Sequence, residues 1–155
     1  MQKPLDYKDL LRILNRHRVQ YLIVGAYAVI YYSEPRYTKD LDIWLKPEAE
    51  NAKRAYEALR EFGAPLKGIG PGDFANKDIV YQIGIAPVRV DVMMGIPGME
   101  FDKVWRHRSI TSFDGIKANI IGINELIKSK KTAGRQMDIA DIESLKCGLK
   151  LRKKK

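Results

Sequence analysis

Three carboxylates set in apolar, strand-like segments constrain this chain more than any other feature. Val24-Gly25-Ala26-Tyr27-Ala28 is followed by Arg36-x-Thr38-x-Asp40-Leu41-Asp42-Ile43-Trp44, and a further acid stands inside Val88-Arg89-Val90-Asp91-Val92. Side chains alternate along an extended strand, so Asp40, Asp42 and Trp44 share one face while Leu41, Ile43 and Leu45 share the other. Two residues of rise set the roots of Asp40 and Asp42 about 6.5 Å apart, close enough for both side chains to reach one divalent cation. Arg89 and Asp91 share a face opposite Val88, Val90 and Val92. If the two segments are neighbours in a sheet, three carboxylates gather in one small volume. Such a cluster calls for bound cations or protonation.

The 155 residues suit one domain, expected over residues 1–149 with a basic tail at 150–155, and are enough to bury a core without disulfides. The composition, 45% hydrophobic and 30% charged, is that of a globular chain rather than a disordered one. Cys147 has no partner within the chain, residues 1–11 are too polar for a secretory leader, and no apolar run approaches a membrane span. A cytoplasmic location without membrane contact is the expectation. A formal charge of +9 attracts polyanions, which brings in nucleic acid as a partner. Part of that excess lies in the tail, which reads as a frayed, solvated end, and Lys128, Lys130, Lys131 and Arg135 make a second basic group.

Asp6 is placed to cap a helix with Tyr7, Leu10, Leu11 and Leu14 on one side. Tyr21 to Val24 reads as a buried strand, Gly25 breaks it, and Ala26 to Tyr32 reads as a buried helix. A loop from Ser33 to Lys39 leads to the strand Asp40 to Leu45, after which Pro47 opens a helix that Gly63 stops. Gly63 to Asp73 reads as a mobile loop. Ile79 to Ile83 and Val88 to Met94 pair as a hairpin through residues 84–87, and Asp114-Gly115 turns a second hairpin between Ile110 to Phe113 and Ile116 to Ile121. Asn124 is placed to cap a helix ending near Ala133, and Met137 to Leu145 continues as a helix with Ile139, Ile142 and Leu145 inward.

A glycine between a buried strand and a helix lets backbone amides approach a phosphate at the positive end of that helix, a role that falls to Gly25 and Ala26. Oxygen-rich carboxylate groups suit magnesium, which commonly bridges protein acids to nucleotide phosphates. Two such ions can activate an attacking hydroxyl and neutralise the group that leaves. His17 and His107 have no metal-ligand spacing to one another. Taken alone, the Asp40 and Asp42 pair also fits an exposed strand face, and Asp91 also fits a salt bridge to Arg89.

These motifs together resemble the nucleotidyltransferase superfamily typified by DNA polymerase beta: a glycine-led strand-to-helix turn, an Asp-x-Asp strand and a third Asp on a nearby strand. The chain is more closely similar to the small abortive-infection type nucleotidyltransferase toxins. That likeness runs from about residue 20 to residue 145. It is carried by Val24-Gly25-x-x-Ala28, Pro35-Arg36-x-Thr38-x-Asp40-Leu41-Asp42-Ile43, Tyr81-Gln82-Ile83-Gly84 with Val88-Arg89-Val90-Asp91, and Leu126-Ile127-x-x-Lys130 followed by Arg135, Asp138 and Asp141. The family turn usually carries Gly-Gly or Gly-Ser. Gly25-Ala26 keeps the backbone amide and lacks the hydroxyl.

The resemblance implies an α/β (α+β) fold, a mixed sheet flanked by helices. It implies Asp40, Asp42 and Asp91 as catalytic metal ligands, with Asp91 helping to activate the acceptor. Gly25, Ala26, Arg36, Thr38 and Lys130 would bind the nucleotide. Lys130 fits an exposed helix lysine equally well, and the three-residue steps of Arg135, Asp138 and Asp141 fit a surface ion-pair row. The implied reaction is Mg2+-dependent transfer of a nucleoside monophosphate from an NTP, with Mn2+ as a substitute and pyrophosphate released. RNA, transfer RNA especially, a small molecule such as an aminoglycoside, or a partner protein is the expected acceptor, and an antitoxin the expected partner. The rival expectation is a catalytically silent module of the same fold that binds nucleic acid or a protein. A phosphatase or sugar transferase fits less well, because Ile43-Trp44 lacks the Gly and Thr of an aspartyl nucleophile motif and the chain is short for the latter.

Overall fold

The computed structural model describes residues 6–33, 40–85, 88–113 and 115–153. Its frame is a six-stranded sheet built from β1 (Tyr21–Val24), β2 (Asp40–Leu45), β3 (Val80–Ile85), β4 (Val88–Met93), β5 (Ser109–Phe113) and β6 (Ile116–Ile120). The spatial order is β3-β4-β2-β1-β6-β5. β2 runs parallel to β4 and β1 parallel to β6, whereas the β1–β2, β3–β4 and β5–β6 pairs are antiparallel. The result is the mixed sheet flanked by helices that the resemblance implies.

All four residues of β1 are buried, as befits a central strand covered on both faces. On β2 the alternation is visible: Leu41 and Ile43 are buried, while Asp40 and Asp42 keep partial access to water. The helices α1 (Tyr7–Arg16) and α3 (Ala49–Phe62) pack together over the apolar face of β2, where Leu10, Leu14 and Leu59 meet Ile43, Leu45 and Val92. Asp6 caps α1 as its position predicts, accepting from the backbone N–H groups of Lys8 at 3.0 Å and Asp9 at 3.3 Å. Helix α3 starts two residues later than Pro47 suggests, because Glu48 supplies the cap by accepting from the Glu50 N–H. Gly63 ends it at φ 95°, as expected.

Helix α2 (Gly25–Tyr32) packs on β2 as well, and α5 (Ile123–Ala133) and α6 (Gln136–Lys153) contact α2 and each other. Three differences from the sequence reading have physical causes. Gly122, not Asn124, is the N-cap of α5, so the helix begins two residues earlier than a cap at Asn124 would start it. Ile139 is 57% exposed, because the inward stripe of α6 is Asp138, Asp141, Ile142 and Leu145. The end of the stretch read as a loop winds into a 3₁₀ turn, Pro71–Ala75, that buries Phe74 against Tyr56 and Tyr81. The short helix α4 (Phe101–Trp105) has no counterpart in the sequence reading, and α6 continues through Lys153. Arg36, Thr38, Asp114 and the turn residues 86–87 lie outside the described residues.

One buried polar side chain ties the layers together. Asn51, fully buried on α3, accepts from the Gln20 N–H at 2.7 Å and donates to the carbonyls of Gln20 at 3.0 Å and Lys46 at 3.1 Å. These contacts join the start of β1 and the end of β2 to one helix. They help fix the direction in which β2 presents its acids.

Candidate active site

The register of β2 against β4 settles which side chains meet. Asp42 stands opposite Asp91 and Asp40 opposite Arg89. Neighbouring strands are about 4.8 Å apart and paired residues point the same way, so all four side chains emerge on one face. Arg89 lies between the acids: its Nε is 2.9 Å from Asp91 Oδ1, and its Nη2 donates to Asp91 Oδ2 at 3.2 Å and to Asp40 Oδ2 at 3.5 Å.

Asp42 holds a proton more tightly than a free carboxyl does. Burial, reinforced by the negative charges of Asp91 and then Asp40, pushes its pKa from 3.8 up to about 6, against the opposing pull of Lys130 and Arg89. Gly25 makes room for it. That glycine has φ 68°, and a Cβ built on it would overlap the Asp42 carboxylate. The Asp42 side chain therefore lies against the N-terminus of α2, whose cap position, Val24, offers no side-chain hydrogen bond. Half-buried Ala26 sits in that first turn.

Lys130 belongs to the same neighbourhood. It is not the exposed helix lysine that its sequence position also allowed: its side chain is 13% exposed and its Nζ sits 3.2 Å from Asp138 Oδ1 and 3.1 Å from Asp141 Oδ2. Asp138 and Asp141 are buried rather than part of a surface row. Hydrogen bonds from Arg135, then from Lys130, hold the Asp138 carboxyl down at about 2. The signal for this was present in the sequence as one helical stripe, Asp138, Asp141, Ile142 and Leu145, mixing acids with core residues.

Tyr7 is a rim residue that its apolar spacing on α1 conceals. Its hydroxyl donates to the Arg89 carbonyl at 3.3 Å, its ring meets Tyr27 edge-on, and burial together with Tyr27 and Asp40 pushes its pKa up to about 12. An open cavity of about 680 Å³ lies off the far end of β2 and β4, lined by Trp44, Lys46, Lys77, Gly95 and Phe101. It includes none of the three acids.

Among the described residues no three His, Cys, Asp or Glu side chains converge at metal-ligand spacing. The donor chemistry nonetheless fits a hard divalent cation. Five carboxylates, Asp40, Asp42, Asp91, Asp138 and Asp141, face three described cations, Arg89, Lys130 and Arg135, leaving an excess of two negative charges. Asp91 Oδ1 is buried 2.9 Å from Arg89 Nε without an aligned hydrogen bond, a carboxylate oxygen held by charge alone.

No protein-family model matches the chain, and no curated protein matches it either. Solved structures do. A protein of Thermotoga maritima, provisionally named a nucleotidyltransferase, superposes with a TM-score of 0.59 at 15% identity, over 92% of this chain and 89% of that one. The lincosamide antibiotic adenylyltransferase LnuA, solved with lincomycin, gives 0.58 at 14% identity, over 93% and 98%. ANT(2″)-Ia in complex with adenylyl-2″-tobramycin gives 0.59 at 12% identity, over 94% and 88%. A mixed sheet of this order, overlaid on these structures along nearly its whole length, is the nucleotidyltransferase fold.

Proposed function

We propose that this protein transfers a nucleoside monophosphate from a nucleoside triphosphate to an acceptor hydroxyl, with Mg2+ as cofactor and Mn2+ as a substitute. The observation that carries the reading is the pairing of Asp42 with Asp91 beside the uncapped start of α2. Carboxylates that repel each other this closely and carry a net excess of charge are suited to hold a divalent cation. The exposed N–H groups of a helix start are suited to hold phosphate oxygens.

In this reading Asp40, Asp42 and Asp91 hold the metal. Gly25 and Ala26 receive the triphosphate, and Lys130 approaches its oxygens. The metal, when bound, neutralises charge on the phosphates and on the leaving pyrophosphate. The acceptor oxygen attacks the α-phosphorus, the bond from that phosphorus to the bridging oxygen of the β-phosphate breaks, and Asp91 takes the proton released by the acceptor hydroxyl. No covalent enzyme intermediate is needed; positioning and charge neutralisation carry the step. Arg36 and Thr38, between α2 and β2 in sequence, remain proposed nucleotide contacts.

The charge of +9 favours RNA, and transfer RNA in particular, as acceptor. The adenylylated tobramycin in one structural neighbour and the lincomycin in another make a small hydroxylated molecule the competing choice. A toxin role with an antitoxin partner in the cytoplasm fits the resemblance of the motifs. A silent binding module is the second reading, supported by the engagement of two acids with Arg89.

The test is incubation with each α-labelled triphosphate, Mg2+ or Mn2+, and total RNA, lincomycin or tobramycin in turn, with Asp42→Asn as control. Label on an acceptor that disappears in the variant supports the transferase. Unlabelled acceptors throughout, with RNA bound equally by both proteins, support the module.

A further inference from the structure

Arg89 is the site residue for which a metal-dependent reaction has no evident use. Its guanidinium touches Asp91 at two points and Asp40 at one. It is a donor only, so it cannot coordinate a cation. The Asp91 side chain, 14% exposed, is poorly placed to be left charged without a partner, and among the described residues Arg89 is the cation in contact with it.

The contact is also imperfect. Arg89 Nε approaches Asp91 Oδ1 to 2.9 Å, yet neither buried atom gains an aligned hydrogen bond. The Arg89 side chain keeps 31% of its surface in water, whereas its backbone is fixed by the β3–β4 ladder opposite Gly84 and by the Tyr7 hydroxyl. The side chain can therefore leave while the strand stays. A divalent ion that bridges Asp91 and Asp40 needs carboxylate oxygens that the guanidinium already engages, so occupation by one excludes the other.

We propose that Arg89 is a resident counter-ion that competes with divalent metal for Asp91 and Asp40, holding the metal-free site together and setting the metal concentration at which the site fills. This rests on the metal-dependent reading above. A site closed by its own arginine in nine molecules of ten binds metal about tenfold more weakly than an open one. Lysine at this position keeps the charge and loses the planar fork, so it competes less well.

The experiment is Mn2+ titration of the nucleotide-free protein, followed by the electron paramagnetic resonance signal of unbound Mn2+, for wild type, Arg89→Gln and Arg89→Lys. Arg89→Gln is expected to bind Mn2+ about five- to tenfold more tightly than wild type, with Arg89→Lys between them. In thermal melts the metal-free Arg89→Gln protein should unfold earlier than wild type and gain more from Mn2+. An arginine that merely supports the fold predicts the reverse, weaker metal binding on its removal. Equal or weaker binding by Arg89→Gln overturns the proposal, as does Mn2+ binding by none of the proteins. Should Arg89→Gln fail to fold, Arg89→Lys decides: about two- to threefold tighter binding upholds the proposal and unchanged affinity overturns it. Tighter binding without any nucleotidyl transfer leaves Arg89 in this role and removes the transferase reading. Transfer by wild type with unchanged Mn2+ affinity in the variants does the opposite.

Discussion

Asp42 and Asp91 face each other across adjacent parallel strands, and the negative charge of one helps to hold a proton on the other. That single relationship joins the fold to its proposed chemistry. Replacing either acid by its amide should abolish nucleotidyl transfer, a loss of about a thousandfold or more for a group that positions charge in the transition state. Folding should survive both changes. Circular dichroism and the labelled-transfer assay, run on the same preparations, check both halves.

The elevated pKa of Asp42 gives stability a direction with pH. The folded chain binds this proton more tightly than the unfolded one, so stability is lost as pH rises from about 4 to about 6 and is level above that. A shift from 3.8 to about 6 corresponds to a cost on the order of 3 kcal/mol. Asp138, held down at about 2, acts in the other direction, its contribution fading as pH falls from about 4 towards about 2. Denaturant titrations without metal should show the first slope in wild type and its loss in Asp42→Asn, which should be the more stable protein above pH 6.

Removing the Lys130 ammonium strands buried charge. Lys130→Ala leaves Asp141 without that ion pair and Asp138 with Arg135 alone, and should cost about 3 kcal/mol of stability. The triple variant Lys130→Met, Asp138→Asn, Asp141→Asn should recover most of that loss while remaining inactive. Urea midpoints measure the first effect and the transfer assay the second.

Gly25→Ala sets a side chain at φ 68° and into the Asp42 carboxylate. The backbone conformation alone costs about 1–3 kcal/mol, and the overlap forces Asp42 aside. Lower melting temperature together with weakened Mn2+ binding is the expected pair of results. A variant that melts lower but binds Mn2+ as wild type does would show that the glycine serves the turn alone.

Asn51→Ala tests the buried tie between α3 and the strands. It leaves the Gln20 N–H and two carbonyls without their side-chain partner. A loss of about 2–4 kcal/mol follows, read as a shift in urea midpoint.

Much of this architecture was legible because strand alternation is a strong signal. Asp40 and Asp42 declare one polar face against Leu41 and Ile43, and the cap at Asp6 and the stop at Gly63 declare helix ends. Strand order was not legible: nothing local says that β4 joins β2 in the register that opposes Asp91 to Asp42 and delivers Arg89 to Asp40. Asp138 and Asp141 misled because ion pairs on helix surfaces share the same three-residue spacing. Lys130, brought in on α5, and Arg135 together make their burial tolerable. Tyr7 looked like ordinary core packing, since its approach to the acids depends on where α1 lies across the sheet.

The most direct measurement is a crystal structure of the protein soaked with Mn2+ and a non-hydrolysable triphosphate, read by anomalous scattering. The account predicts a manganese peak bound by Asp42 and Asp91, with phosphate oxygens against the amides of Gly25 and Ala26 and Arg89 displaced. A triphosphate lodged elsewhere, such as the Trp44 cavity, with Arg89 still clasping Asp40 and Asp91, would contradict it.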